Sequence, residues 1–341
     1  MAVKVLLVLG TRPEAIKLAP VYFALKERGA DVRIVSTGQQ EGLTNQAIRE
    51  FGIFADFGLE PNSYSLDEML CDFIRQLEPL IRQFDTDWVL VQGDTTSALA
   101  GAISAYYKQV KIGHVEAGLR TGDLYAPFPE EGNRRMIDQI ATLKFAPTKQ
   151  AADNVSGSVV VGNTVIDAMN RMPVKAGPSD YVLVTAHRRE SWGEPLERIC
   201  QAVSEIAEYR PVIFQVHPNP NVSETIKASI NGSKNIKLVE PKGYANWVNL
   251  MRNASVILTD SGGIQEEAPS LGVPVVVMRD KTERPEAVEG GFARLAGTTV
   301  EGIWQALDGL DEWRAEIAGK PNPFGDGHAA ERIADLVVGH G

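Results

Sequence analysis

Short apolar, β-branched runs alternate with helical patterns along the whole chain, and this alternation narrows the possible folds more than any other feature. Neighbouring parallel strands must be joined by a crossover, usually a helix, so the repetition predicts doubly wound α/β sheets. In the first half it predicts strands at Val3 to Leu9, Val32 to Ser36, Trp88 to Gln92, Lys111 to Val115, Leu143 to Ala146 and Val159 to Val161. Helices are predicted at roughly Glu14 to Arg28, Leu66 to Phe84, Ser97 to Tyr107 and Glu131 to Ile140. Pro13 suits a first helical turn and Gly29 a helix end, whereas Pro79 predicts a kink or a break.

At 341 residues the chain exceeds what one core usually serves, so two domains are expected. The pattern lapses between Met172 and Asp180, at Pro173, Gly177 and Pro178, which places a linker there. Strands resume at Tyr181 to Thr185, Val212 to Gln215, Ile236 to Val239, Val256 to Thr259 and Val273 to Val277. After Pro321 and Pro323, an amphipathic helix near Ala329 to Val338 has the spacing of a docked segment. The expected division is therefore 1–173 and 174–324, with 325–341 returning to the first domain. Ligands of such sheets bind beyond the strand ends, in a cleft that two domains would share.

A net charge of −10 argues against a nucleic-acid binder, so an anionic ligand needs a local basic cluster. Cys71 and Cys200 are far apart, without Cys-x-x-Cys or clustered histidines, which predicts no metal site and suits a reducing cytosol. The apolar start, Val3 to Leu9, is too short for a membrane span.

The strand ending at Thr259 runs into Asp260, Ser261, Gly262 and Gly263, followed by a helix pattern from Ile264 to Glu267. Backbone N–H groups in such a turn can approach a pyrophosphate, although Ser261 as a simple helix cap is the plainer account. His187, Arg188 and Arg189 follow another strand end, and Arg284 lies in a Thr-Glu-Arg-Pro-Glu turn. These are forked phosphate donors or, individually, surface ion pairs. Glu267 could accept from ribose hydroxyls. Gly10, Thr11, Arg12, Pro13, Glu14 and Lys17 form a second basic turn that lacks both the dinucleotide and the Walker glycine patterns.

Three carboxylates occupy comparable places: Asp94, Glu116 and Glu130. Each has a structural alternative, with Asp94 as a helix cap, Glu116 pairing with Arg120 and Glu130 starting a helix. Together they form an acid/base set able to take and return protons at a sugar carbon.

The ordered blocks GTRPEAIK (10–17), QGDTT (92–96), HVEAGLRTGD (114–123), PEEGN (129–133), GNTVID (162–167), TAHRRES (185–191), TDSGGIQEEAP (259–269) and TERPEA (282–287) resemble those of non-hydrolysing UDP-N-acetylglucosamine 2-epimerases over nearly the whole chain. The resemblance implies a GT-B-like fold of two Rossmann-like domains, with no metal or nicotinamide cofactor. It also implies a cytoplasmic homodimer supplying UDP-N-acetylmannosamine for surface polysaccharide. UDP would be eliminated to leave 2-acetamidoglucal and then added back. It casts Asp94, Glu116 and Glu130 as the acid/base set and has His187 stabilise the diphosphate. Arg12 and Lys17 would bind substrate, as would Ser261, Gly262, Gly263, Glu267 and Arg284 around the nucleotide, with Trp247 bordering uracil and Lys242 nearby.

The chain departs from the family at Gln39 to Gly42, and it has no arginine between Leu59 and Leu66. A second, activating substrate site is therefore expected to be weakened, with Gln39 and His217 as its remnant. A hydrolysing epimerase, a GT-B glycosyltransferase and a non-catalytic UDP-sugar sensor are the rival functions. Product identity, acceptor dependence and binding without turnover, respectively, would reveal them.

Overall fold

A computed structural model describes residues 2–61, 65–173, 180–188, 191–230 and 233–340. Most of the expected linker (174–179) and Arg189 lie outside the described residues. The chain divides into two compact units, Met1–Arg171 with Phe324–Gly341, and Met172–Pro323.

In the first unit the strands are β1 (Lys4–Leu9), β2 (Asp31–Ser36), β3 (Phe57–Gly58), β4 (Trp88–Gln92), β5 (Lys111–Val115), β6 (Leu143–Ala146) and β7 (Ser158–Val160). They pair in parallel in the order β3-β2-β1-β4-β5-β6-β7, the Rossmann arrangement extended by one strand. The strand order reverses between β1 and β4, so the turns after these strands and after β5 lie at the ligand-binding edge of the sheet. Connecting helices are α1 (Arg12–Glu27), α2 (Glu41–Glu50), α3 (Leu66–Phe84), α4 (Thr96–Tyr107), α5 (Glu130–Ile140), α6 (Lys149–Asp153) and α7 (Thr164–Asn170).

The runs Val5–Leu9 and Trp88–Gln92 are buried throughout, as strands covered on both faces must be. Phe73, Leu77 and Ile81 of α3 fall at helical spacing and close the core over Leu6, Val89 and Val91. Pro79 does not divide α3. It sits on the exposed side, while the buried stripe of Met69, Phe73, Leu77 and Ile81 holds the helix together.

The second unit has β8 (Tyr181–Ala186), β9 (Val212–Val216), β10 (Ile236–Val239), β11 (Ala254–Thr259), β12 (Val275–Val277) and β13 (Ala293–Leu295), in the order β10-β9-β8-β11-β12-β13 and again all parallel. Its helices are α8 (Glu194–Ile206), α9 (Pro220–Ser229), α10 (Tyr244–Arg252), α11 (Gly262–Glu267), α12 (Pro285–Glu289), α13 (Val300–Leu307) and α14 (Leu310–Ile317). Val182, Val184, Val256 and Leu258 pack with Phe214, Ile199 and Val203 in its core. The final helix, α15 (Ala329–Gly339), belongs to the first unit. Asp167 of the GNTVID block accepts the Ala330 N–H at 2.8 Å, and the Asn163 N–H donates to the Phe324 carbonyl at 2.7 Å. Among the described residues, no helix is long and apolar enough to cross a membrane.

Candidate active site

In the first unit, the turn after β1 is built on Glu14. Its Oε2 accepts the N–H groups of Gly10 (2.9 Å) and Thr11 (2.7 Å) and the Thr11 hydroxyl, while Oε1 accepts the Thr95 hydroxyl at 2.6 Å. Burial raises the Glu14 carboxyl above its ordinary range despite these bonds. Glu14 thereby ties the β1 turn to the β4 turn, presenting Arg12 at the first position of α1 and Lys17 one turn later.

Glu116 follows β5 in a left-handed backbone conformation, φ 67°. A non-glycine residue held there costs about 1–3 kcal/mol, which the surrounding bonds must offset. The partner of Glu116 is not Arg120, the nearest cation in sequence, but Lys17, whose Nζ donates to Oε2. Gln92 Nε2 also donates to that oxygen at 3.2 Å. Arg120 instead donates to Asp138 at 2.6 Å. The parallel β1-β4-β5 order brings residues 17 and 116 together, which spacing along the chain could not indicate.

Asp94 does not cap α4; the Thr95 hydroxyl does, accepting the Ala98 N–H at 3.0 Å. The Asp94 carboxylate is held by Arg134, whose Nε donates at 2.9 Å, and Asn133 Nδ2 donates to the Asp94 carbonyl at 2.8 Å. Glu130 is the first residue of α5, and its Oε2 is buried without a hydrogen-bond partner among the described residues. A buried acceptor of that kind is ready for a ligand proton. The neighbouring Glu131 has a different task, since it accepts from Thr121 N at 3.1 Å, Arg134 at 3.2 Å and Arg135 at 2.8 Å, and so fixes the loop. Gln39 Oε1 accepts from Ser97 N (3.2 Å) and Oγ (2.7 Å) at the start of α4.

The second unit is organised around Asp260, which is fully buried. Its Oδ2 accepts from His187 N at 2.8 Å, Arg188 N at 2.9 Å and Ser191 Oγ at 3.1 Å, and Oδ1 lies 3.2 Å from His187 Nδ1. Burial alone would raise the Asp260 carboxyl, but the bond and charge of His187 and the backbone donors hold it below its ordinary range. His187 stacks on His217, with ring centroids 5.7 Å apart. Burial, with the charge of His187, pushes His217 down.

Ser261 precedes α11 but makes no capping bond through its side chain. A methyl group placed at Gly262 would lie 3.7 Å from a guanidinium nitrogen of Arg188 and 3.7 Å from the guanidinium carbon of Arg284. Both cations thus converge on a bare stretch of backbone, and a side chain there would occupy space an anion could use. At Gly263, among the described residues, nothing beyond its chain neighbours and the helix's own backbone lies within 4 Å of the same position. Arg284 is oriented by Glu266, while Arg188 lies 3.5 Å from Glu283. Burial works to raise the Glu283 carboxyl, but the hydrogen bond from Arg279 and the charge of Arg188 bring it down to about 2. The buried Glu267 accepts the Tyr244 hydroxyl at 2.7 Å. Trp247 is half-buried on α10, and Lys242 is exposed just before that helix.

Residues 24–338 match the family described as UDP-N-acetylglucosamine 2-epimerase. The chain belongs to this family. The UDP-N-acetylglucosamine 2-epimerase of Yersinia pestis is 43% identical over 371 residues, covering 99% of each chain. That of Escherichia coli K12 is 42% identical over 370 residues, covering 98% of each. The structure of the Neisseria meningitidis UDP-GlcNAc 2-epimerase bound to UDP-GlcNAc superposes with a TM-score of 0.88 at 38% identity, covering 98% of this chain and 100% of that one. The epimerase motifs contain Glu14, His114, Asn133 and Asp260, with Arg134 directly after the PEEGN block, and sequence reasoning gave none of these a role. Their position inside or beside the blocks was the available signal, but their distant partners lie 21 to 81 residues away, in patterns that only the sheet order defines.

Proposed function

We propose that this epimerase interconverts UDP-N-acetylglucosamine and UDP-N-acetylmannosamine without hydrolysis. A carboxylate removes the C2 proton as the C1–O bond to UDP breaks, leaving 2-acetamidoglucal and UDP. UDP then adds back at C1 while a second acid protonates C2 from the opposite face. Asp94, Glu116 and Glu130 form the acid/base set. Arg12 and Lys17 bind substrate, and Lys17 also pairs with the Glu116 carboxylate. His187, steadied by Asp260, stabilises the departing diphosphate, and Ser261, Gly262, Gly263, Glu267 and Arg284 hold the nucleotide, with Lys242 and Trp247 beside the base. No metal or organic cofactor enters this scheme. We further propose a cytoplasmic homodimer that supplies surface polysaccharide synthesis.

Glu116 carries this reading: its backbone is held in a costly conformation at a strand end, and its carboxylate meets a lysine. Strain of this kind is retained where positioning a reactive group requires it. Arg188 and Arg284 converging on Gly262 suit the diphosphate that must be retained between the two half-reactions. The experiment is incubation with UDP-N-acetylglucosamine in deuterium oxide, followed by proton NMR. UDP-N-acetylmannosamine deuterated at C2 is expected. Free N-acetylmannosamine with stoichiometric UDP would establish the hydrolysing reaction instead, and a C2 hydrogen that never exchanges would exclude both.

A further inference from the structure

His114 lies on β5, two residues before Glu116, and is fully buried. Its Nε2 is 2.8 Å from the Gly93 carbonyl oxygen and its Nδ1 is 2.7 Å from Asp138 Oδ1. A carbonyl oxygen can only accept, so Nε2 must carry a proton. Asp138 would leave Nδ1 bare only by being protonated itself. Yet the other Asp138 oxygen takes the Arg120 guanidinium at 2.6 Å. An arginine is always charged, and a guanidinium at this distance favours the carboxylate over the neutral acid. An ionised Asp138 requires a second proton on the ring.

Gly93, whose carbonyl His114 grips, joins two strand ends. Its carbonyl receives the imidazole, and its N–H donates to the Val115 carbonyl at 3.0 Å. Asp94 follows the first of these residues and Glu116 the second. From α5, Arg134 and Asp138, four residues apart and so on one helix face, hold the Asp94 carboxylate and the His114 ring respectively.

We propose that His114 is a doubly protonated, buried imidazolium acting as a positioning residue, which fixes the Gly93 peptide so that Asp94 and Glu116 stay in register for proton transfer at C2. The role in proton transfer rests on the epimerase reading; the charge state does not. Misplacing a reacting group by about 1 Å can cost about 100-fold in rate.

The test starts with nitrogen-15 NMR of the histidine-labelled wild-type protein at pH 7, with His114 assigned by its absence from His114→Gln. Both ring nitrogens should bear protected protons; a bare ring nitrogen overturns the imidazolium. In His114→Gln and Asp138→Asn, both checked for native circular dichroism, kcat for C2 exchange should fall roughly 10- to 100-fold with the UDP Kd changed less than about twofold. Unchanged kcat, or equal losses of kcat and UDP affinity, overturns the positioning role. A wild-type enzyme that exchanges no C2 hydrogen overturns the epimerase reading and the catalytic half of this proposal, while the nitrogen spectrum still decides the charge.

Discussion

Replacing Asp260 with asparagine removes one charge from the centre of the second unit and leaves its shape intact. Three donors converge on Oδ2, from His187 N, Arg188 N and Ser191 Oγ. A hydrogen bond to a charged group contributes about 1.5–3 kcal/mol and one to a neutral group about 0.5–1.5, so each bond loses about 1 kcal/mol. The amide is less costly to bury than the carboxylate, which offsets part of the total, and the net expectation is a loss of about 2 kcal/mol. Asp260→Ala strands all three donors and should cost about 4 kcal/mol, since each unsatisfied buried group costs about 1–3. Tryptophan fluorescence follows the correct unit, because Trp192, Trp247, Trp304 and Trp313 all lie in it and only Trp88 lies in the other. With a slope of about 2 kcal/mol/M in urea, the midpoint should fall by about 1 M for asparagine and about 2 M for alanine. A midpoint unmoved in Asp260→Asn, or an alanine variant no worse than asparagine, would refute the claim that this carboxylate holds His187, Arg188 and Ser191 through charge.

Lys17→Met should lower kcat by about 100-fold or more while UDP affinity stays within about threefold; comparable losses in steady-state and calorimetric measurements would make Lys17 a purely structural partner of Glu116. Arg284→Ala should weaken UDP binding by about 10- to 100-fold in calorimetry, the effect of losing a charge-assisted bond, with a smaller change in kcat at saturation. For Glu283, the folded carboxyl lies below its unfolded value, so its contribution is complete above about pH 4.3 and is lost as pH falls toward about 2. The side chain is 37% exposed, which screens the pair, so the wild type should exceed Glu283→Gln by only about 1 kcal/mol in urea titrations at pH 6 and by nothing near pH 2. Initial rates should follow a hyperbola in substrate, because the Gln39 to Gly42 segment departs from the family pattern; sigmoidal activation would show that the second site is intact.

The sheets were legible because strands buried on both faces are short unbroken apolar runs, and β1, β4, β5 and β11 lie where such runs do. The two-residue β3 and three-residue β13 are too short to carry a pattern, and neither was anticipated. The predicted Val159 to Val161 strand is displaced by one residue to Ser158–Val160, and Val273 to Val277 shortens to Val275–Val277 because Pro274 cannot donate to the ladder. Several helices went unassigned, among them α2, α9 and α10, where polar residues blur the apolar stripe. Candidate site residues stood out because they follow strands, but their partners did not. Glu116 and Arg120 are four apart in sequence, yet the sheet order delivers Lys17 to the one and Asp138 to the other. Asp260 is illegible for a related reason: its backbone partners, 72 and 73 residues earlier in the chain, follow β8, which neighbours β11 in the sheet.

The docking of α15 through Asp167 has a consequence for biosynthesis. As the nascent chain leaves the ribosome, the β1–β7 sheet is made early but lacks α15 and the Phe324 and Ala330 backbone partners of Asn163 and Asp167 until residues 172–323 have been translated. At about 5–20 residues per second, that interval is roughly 8–30 s. The second unit, contiguous in sequence, can finish folding first, so a stop codon a few residues before Phe324 would spare the Ser261 to Gly263 turn and strike the first unit, which bears Asp94, Glu116 and Glu130.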